Sequence, residues 1–230
     1  MDTTRYIYQF FFGYYPYLAL TVFFVGSLIR FDREQYTWKS DSSQLLRHSQ
    51  LRWGSNLFHI GILGIFFGHF VGLLTPPWVW HALSVTASAK QMLAIVAGGI
   101  AGVMGFVGLV MLLHRRLADP RIRVTSKPMD ILVLVLLLAQ LSLGLLSIPV
   151  SWAHLDGSEM LRFMDWAQRI FTFRAGAAEL IAVASPVFKI HIVLGLTIFL
   201  IFPFTRLVHI WSGFATVYYV FRPYQVVRQR

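Results

Sequence analysis

The sequence predicts an all-α, polytopic membrane protein of five transmembrane helices, with its N-terminus outside (periplasmic) and its C-terminus cytoplasmic. Three observations lead there. The 230 residues have a mean hydropathy of +0.63 and only 13% charged side chains, too little polar surface for a soluble domain of that length. The apolar residues gather in five stretches of about 20, the length a helix needs to cross the hydrocarbon core, and they lack the alternation of membrane β-strands. Lys and Arg concentrate in alternate connections between these stretches, as loops on the cytoplasmic side require.

The first span is expected over residues 6–29. It has no basic region before it and no small-residue cleavage site after it, so it reads as a retained helix rather than a signal peptide. The second covers 53–74 and is stopped by Thr75-Pro76-Pro77, because proline cannot continue a helical ladder. The third covers 91–113, the fourth 131–150 with Pro149 at its close, and the fifth 187–211. Pro16 and Pro203 fall inside spans and are expected to bend them, a defect that neighbouring helices absorb in lipid. Trp53, Trp78, Trp80, Trp152 and Trp211 lie near segment ends, where amphipathic indoles prefer the headgroup region. The connection 151–186 has room for a short surface helix over residues 158–171. No repeat or low-complexity tract is visible, and the chain reads as one domain, 1–230, with a basic cytoplasmic tail from about residue 212.

The net charge of +10 is placed for topology rather than for nucleic acid. Loop 30–52 carries Arg30, Arg33, Lys39, Arg47 and Arg52; loop 114–128 carries Arg115, Arg116, Arg121, Arg123 and Lys127; and the tail adds Arg222, Arg228 and Arg230. The 75–88 connection has no cation, and 151–186 sets three arginines against Asp156, Glu159, Asp165 and Glu179. Five spans put the two ends on opposite sides, in agreement with this bias. There are no cysteines, which excludes disulfides, iron–sulfur clusters held by this chain, thiolate zinc sites and covalently attached haem. Histidine is left as the metal ligand.

Four histidines lie inside apolar segments: His59 and His69 in the second, His191 and His209 in the fifth. An imidazole in a bilayer is costly unless paired, solvated or bound, so each is a functional candidate. Two antiparallel helices with two histidines each can hold two bis-histidine haem b groups. Pairing by depth joins His69 to His191 on the outer side and His59 to His209 on the inner side. On straight helices the first two are separated by about 15 Å of rise and the last two by about 27 Å, so a tilt or a bend near Pro203 has to absorb the difference. His69 is turned roughly 80° from His59 about the helix axis, which suits two haem planes of different orientation. Hydrogen bonding between helices, or a proton path, is the plainer role for such histidines. Gly61, Gly64, Gly68 and Gly72 recur along the second span, and Gly195 follows His191 by one turn; small residues admit either a porphyrin or a neighbouring helix.

Lys90 opens the third span on the outer side. Its ammonium suits a quinone carbonyl, or else snorkels to the headgroups; Lys189, beside His191, has the same two roles open to it. His48, His81, His114 and His154 fall at helix ends or in loops, where a solvated imidazole needs no ligand. His114-Arg115-Arg116 is placed to reach a haem propionate or to anchor the cytoplasmic interface.

Several stretches resemble the gamma subunit of respiratory membrane-bound nitrate reductase: Asn56-Leu57-Phe58-His59-Ile60-Gly61-Ile62-Leu63-Gly64 followed by Gly68-His69; Glu34-Gln35-Tyr36-Thr37-Trp38; His154-Leu155-Asp156-Gly157-Ser158-Glu159-Met160; and Phe202-Pro203-Phe204-Thr205-Arg206-Leu207-Val208-His209-Ile210-Trp211-Ser212. They run in family order over nearly the whole chain. The resemblance implies a dihaem cytochrome b of the bacterial or archaeal cytoplasmic membrane, with His59 and His209 on the inner haem and His69 and His191 on the outer. It implies a quinol site (menaquinol or ubiquinol) beside the outer haem, in which Lys90 takes part, with the Lys90-Gln91 step followed by Ala97-Gly98-Gly99 matching that place; Gly68, next to His69, is expected to border the same pocket. It also implies an iron–sulfur beta subunit and a molybdenum-cofactor alpha subunit on the cytoplasmic side, which carry electrons onward and reduce nitrate. Besides these partners and membrane lipid, no nucleic acid is expected. Cytochrome b anchors of formate dehydrogenase, hydrogenase or heterodisulfide-reductase-like systems share the four-histidine pattern and are the competing assignment.

Overall fold

The computed structural model describes residues 3–34 and 48–212, and all regular structure among them is helical. In chain order the helices are α1 (Thr3–Arg33), α2 (His48–Leu74), α3 (Pro77–Ala82), α4 (Ala87–Ala118), α5 (Pro120–Thr125), α6 (Pro128–Trp152), α7 (Ser158–Phe171), α8 (Ala177–Ala182) and α9 (Pro186–Ile201). Two 3₁₀ turns follow, Phe202–Phe204 and Arg206–Val208. Helices α1, α2, α4, α6 and α9 are long and apolar enough to cross a membrane, so the five expected spans are present. The surface helix α7 has the expected limits. Lys39, Arg47, Gln35-Tyr36-Thr37-Trp38, the side chain of His48 and the expected tail with Arg222, Arg228 and Arg230 lie outside the described residues.

Neighbours in space follow the order α2, α4, α6, α9, α1. Glycine makes the α2–α4 contact the closest. A Cβ on Gly61 would lie 2.3 Å from the Gly105 nitrogen and 2.6 Å from the Ala101 carbonyl oxygen, and one on Gly108 would lie 2.3 Å from the Phe58 nitrogen. The two backbones therefore touch, as small residues permit where lipid offers no hydrophobic drive. An apolar cluster of Phe23, Leu109, Val133, Leu137, Leu141, Phe202 and Val208 fills one end of the bundle. At the other end Phe12, Trp166, Ala167, Ile170, Ala178 and Ile181 pack together. There Met164, Trp166, Ala167 and Ile170 form the buried stripe of amphipathic α7. Asp156 accepts hydrogen bonds from Ser158 N (3.3 Å) and Oγ (3.0 Å) at the start of that helix, which holds its carboxyl below the ordinary range.

Prolines decide where helices deform, and polar side chains repair the damage. A proline has no N–H for the carbonyl four residues back. Pro16 so deprives Phe12, a π-turn forms over Phe10–Tyr14, and the Trp166 indole Nε1 donates to the Phe12 carbonyl at 3.0 Å. Pro76 and Pro77 deprive Gly72 and Leu73. Lys90 Nζ donates to the Gly72 carbonyl at 2.6 Å and Gln168 Nε2 to that of Leu73 at 3.1 Å. Pro186 deprives Ala182, whose carbonyl takes Lys189 Nζ at 2.7 Å.

The fifth span departs from the uninterrupted 187–211 helix. Regular α-helix stops at Ile201, because Pro203 cannot donate to Phe199 and the Phe202 N–H bonds that carbonyl instead. Thr205 is extended (φ −118°, ψ 175°), and Arg30 Nη1 from α1 donates to the carbonyls of Pro203 (2.6 Å) and Thr205 (2.9 Å) exposed by the break. At this same end Asp130 Oδ2 lies 3.3 Å from Arg116 Nη1 and 3.9 Å from Arg206 Nη1. It joins α4, α6 and the turn that precedes His209.

Candidate functional site

Helices α2 and α9 do not pack closely; what bridges the space between them is imidazole. The His69 and His191 rings face one another with centroids 6.2 Å apart and planes inclined at 35°. His59 and His209 lie 6.3 Å apart at 77°. Despite the longer spacing from His191 to His209 each ring meets one partner, and the helix that carries His191 breaks at Phe202–Val208 before His209.

Three of the four rings are oriented by their own local backbone. His59 Nδ1 lies 2.7 Å from the Ser55 carbonyl oxygen, His69 Nδ1 2.9 Å from that of Ile65, and His209 Nδ1 2.6 Å from that of Arg206. A carbonyl only accepts, so Nδ1 carries the proton and Nε2 keeps its lone pair. His191 differs. Its Nε2 lies 3.3 Å from Gln140 Nε2 on α6, and its Nδ1 is buried without a partner. Among the described residues no three His, Asp or Glu side chains gather as a metal cage; each site is a facing pair of imidazoles.

The glycines of α2 divide by role. Gly61 is committed to α4, and a Cβ on Gly64 would meet Ala101 Cβ at 3.3 Å. On Gly68 or Gly72 it would point into open space, as it would on Gly98 of α4. Gly68 therefore sits beside His69 on the face that α4 leaves uncovered.

Lys90 is 4% exposed and turned into the protein. Besides the Gly72 carbonyl, its Nζ donates to Met164 Sδ (2.6 Å) and lies 4.5 Å from the Trp80 ring centroid. It lines a cleft of about 410 Å³ with Pro77, Trp80, His81, Thr86, Leu161 and Met164; Gly68 and His69 do not line it. The Lys189 ammonium donates to Tyr8 Oη (3.0 Å) and to the Ala182 carbonyl (2.7 Å), and it does not line that cleft. His81 and His154 are exposed, and His114 Nδ1 lies 3.2 Å from Gln50 Nε2. Sequence reasoning missed Gln140, Trp166 and Gln168, and read Gln91 only as part of the Lys90-Gln91 step. Gln91 Nε2 donates to the carbonyls of Ser151 and His154, both at 2.7 Å. Gln140 was detectable in principle as the one amide within the fourth span.

Fold and site together define a bundle of five membrane-length helices with two facing pairs of imidazoles, one toward each end. The chain belongs to the nitrate reductase gamma subunit family, whose sequence profile matches residues 8–230. It is 50% identical to the respiratory nitrate reductase 1 gamma chain of Escherichia coli K12 and 51% identical to the 2 gamma chain, over 98% of this chain and 99% of each relative. The nitrate reductase gamma chain of Bacillus subtilis 168 is 39% identical over 96% of this chain and 98% of its own length. The competing quinone-linked anchors are thereby set aside in favour of this family.

Proposed function

We propose that the chain is the dihaem cytochrome b of a membrane-bound nitrate reductase, which oxidises quinol near the outer face and passes the electrons inward. The ring spacing carries this reading. A metal–imidazole bond of about 2.0–2.1 Å plus a ring radius of about 1.1 Å on each side would put two imidazoles that share one metal ion about 6.3 Å apart, centre to centre. The observed separations are 6.2 and 6.3 Å. The open faces at Gly68, Gly72 and Gly98 would leave room for the edge of a bound haem. His69 and His191 would hold the outer haem, and His59 and His209 the inner. When bound, each b haem supplies a one-electron ferric/ferrous couple.

The chain's own residues do the rest. Proton-bearing Nδ1 atoms lock three ligands in the tautomer that presents Nε2 and raise their basicity. Lys90 uses two of its three N–H groups on Gly72 and Met164, leaving the third for a quinol oxygen. Loss of two electrons and two protons converts the quinol to quinone; the protons leave at the Lys90 end, and the electrons depart at the His209 end. That second end is the cytoplasmic one on charge grounds, where an iron–sulfur subunit and then a molybdenum subunit receive them.

A redox titration of the purified complex, followed optically, tests the assignment. Two b-type components are expected. His69→Ala or His191→Ala should abolish the outer component and leave the inner largely intact. Colourless wild-type protein, or loss of the inner component alone from those variants, would overturn it.

A further inference from the structure

We infer that Gln140 is the positioning residue for His191, accepting the proton of whichever ring nitrogen does not bind metal, and that it sets the electron affinity of the outer site. This rests on the dihaem reading. The three other histidines find their acceptor in a carbonyl three or four residues back. His191 finds none there, and the polar group at its ring is the Gln140 amide, 3.3 Å away on the neighbouring helix.

Two buried atoms of this pair lack partners, Gln140 Oε1 and His191 Nδ1. Each is expensive to leave so; one rearrangement gives the first a donor and leaves the second as the free ring nitrogen. The amide's oxygen and nitrogen exchange places on a half-turn about its last bond. With the oxygen toward the imidazole, Gln140 Oε1 accepts a ring N–H, and the other ring nitrogen is free to ligate.

The surrounding helices are cut to fit this contact. His191 lies over Gly144, one turn beyond Gln140, where a Cβ would come within 3.2 Å of His191 Cε1. Gln140 lies over Gly195, one turn beyond His191, where a Cβ would come within 3.1 Å of Gln140 Nε2. Each polar side chain occupies the notch left by a glycine on the opposite helix. A bare amide is a neutral acceptor, so the ring it holds stays a neutral ligand; a carboxylate there would push it toward imidazolate and favour the ferric state.

The test uses the complete complex in membranes, carrying Gln140→Leu or Gln140→Glu, with each haem titrated optically and by low-spin electron paramagnetic resonance. In Gln140→Leu the outer potential should rise by about a tenfold change in the ferric/ferrous equilibrium, about 59 mV. In Gln140→Glu it should fall, and the inner potential should stay fixed in both. If Gln140→Leu sheds the outer haem, a retained haem of lowered potential in Gln140→Glu still supports the role. An unshifted outer potential in both variants overturns it, as does loss of the outer haem from both, which would mark a packing residue. Wild-type complex with fewer than two b haems would instead sink the dihaem reading.

Discussion

Lys90 keeps a cation inside the protein because the fold surrounds it with acceptors: a carbonyl without its helical donor, a thioether and the face of an indole. Burial of a charge is tolerable only with such partners. Lys90 also lines the cleft, which Lys189 does not, and on that ground it is the lysine proposed to meet the quinol. Replacing Lys90 with Leu should slow quinol oxidation roughly 10- to 100-fold, the worth of a charge-assisted hydrogen bond of about 1.5–3 kcal/mol. Both b-type components should remain. Pre-steady-state reduction by a quinol analogue measures this, and an unchanged rate would return Lys90 to a purely structural capping role. Position alone could not separate the two roles that the sequence left open for it. Burial removes headgroup snorkelling from consideration.

At the scale of elements, the contact between α2 and α4 is the most restrictive feature. Gly61 meets backbone atoms of Gly105 and Ala101, and backbone cannot rotate aside as a side chain can. Gly61→Val should therefore force the helices apart and cost about 1–3 kcal/mol by overpacking, read as a lower midpoint for thermal loss of the b-type spectrum. Gly72→Ala, whose Cβ meets open space in the chain itself, should lower that midpoint by crowding the haem edge proposed for this face, and an unchanged midpoint would place the haem elsewhere. The ion cluster at the other end makes a second prediction. Asp130 is the carboxylate between Arg116 and Arg206, and its side chain is 12% exposed. Asp130→Asn leaves the two guanidinium groups facing each other without it, at a cost of about 1–3 kcal/mol, between the values for surface and buried pairs. Denaturant titration of the purified complex checks it; no change in midpoint would show the cluster to be water-screened.

Across the whole molecule, Arg30, Arg116 and Arg206 converge on one end of the bundle, whereas α3, α7 and the cation-free 75–88 connection occupy the other. If the basic end is cytoplasmic, alkaline phosphatase, which is active only outside, should be inactive when fused after Trp211 and active when inserted between Thr86 and Ala87. The reverse pattern would invert the proposed direction of charge movement. Much of this architecture was legible in advance. Five spans and the limits of α7 follow from hydropathy and amphipathic spacing, because burial in lipid and at its surface selects residues by period alone. The depth order of the four histidines is likewise fixed once the helices alternate in direction.

What the amino-acid order by itself determined was therefore the count of spans, the charge bias of each loop and the carbonyls that prolines would leave bare, among them those of Phe12, Gly72, Leu73 and Ala182. Only the tertiary structure decided which side chains answer them, since Trp166, Lys90, Gln168 and Lys189 act from other helices, 7 to 154 residues further along the chain. It also decided that α9 breaks before His209, that Gly61 serves a helix while Gly68 faces open space, and that Gln140 meets His191. The physical reason is the same throughout. Hydropathy and helical period act within one segment, but hydrogen-bond satisfaction and steric fit are settled between segments, after packing has chosen the neighbours.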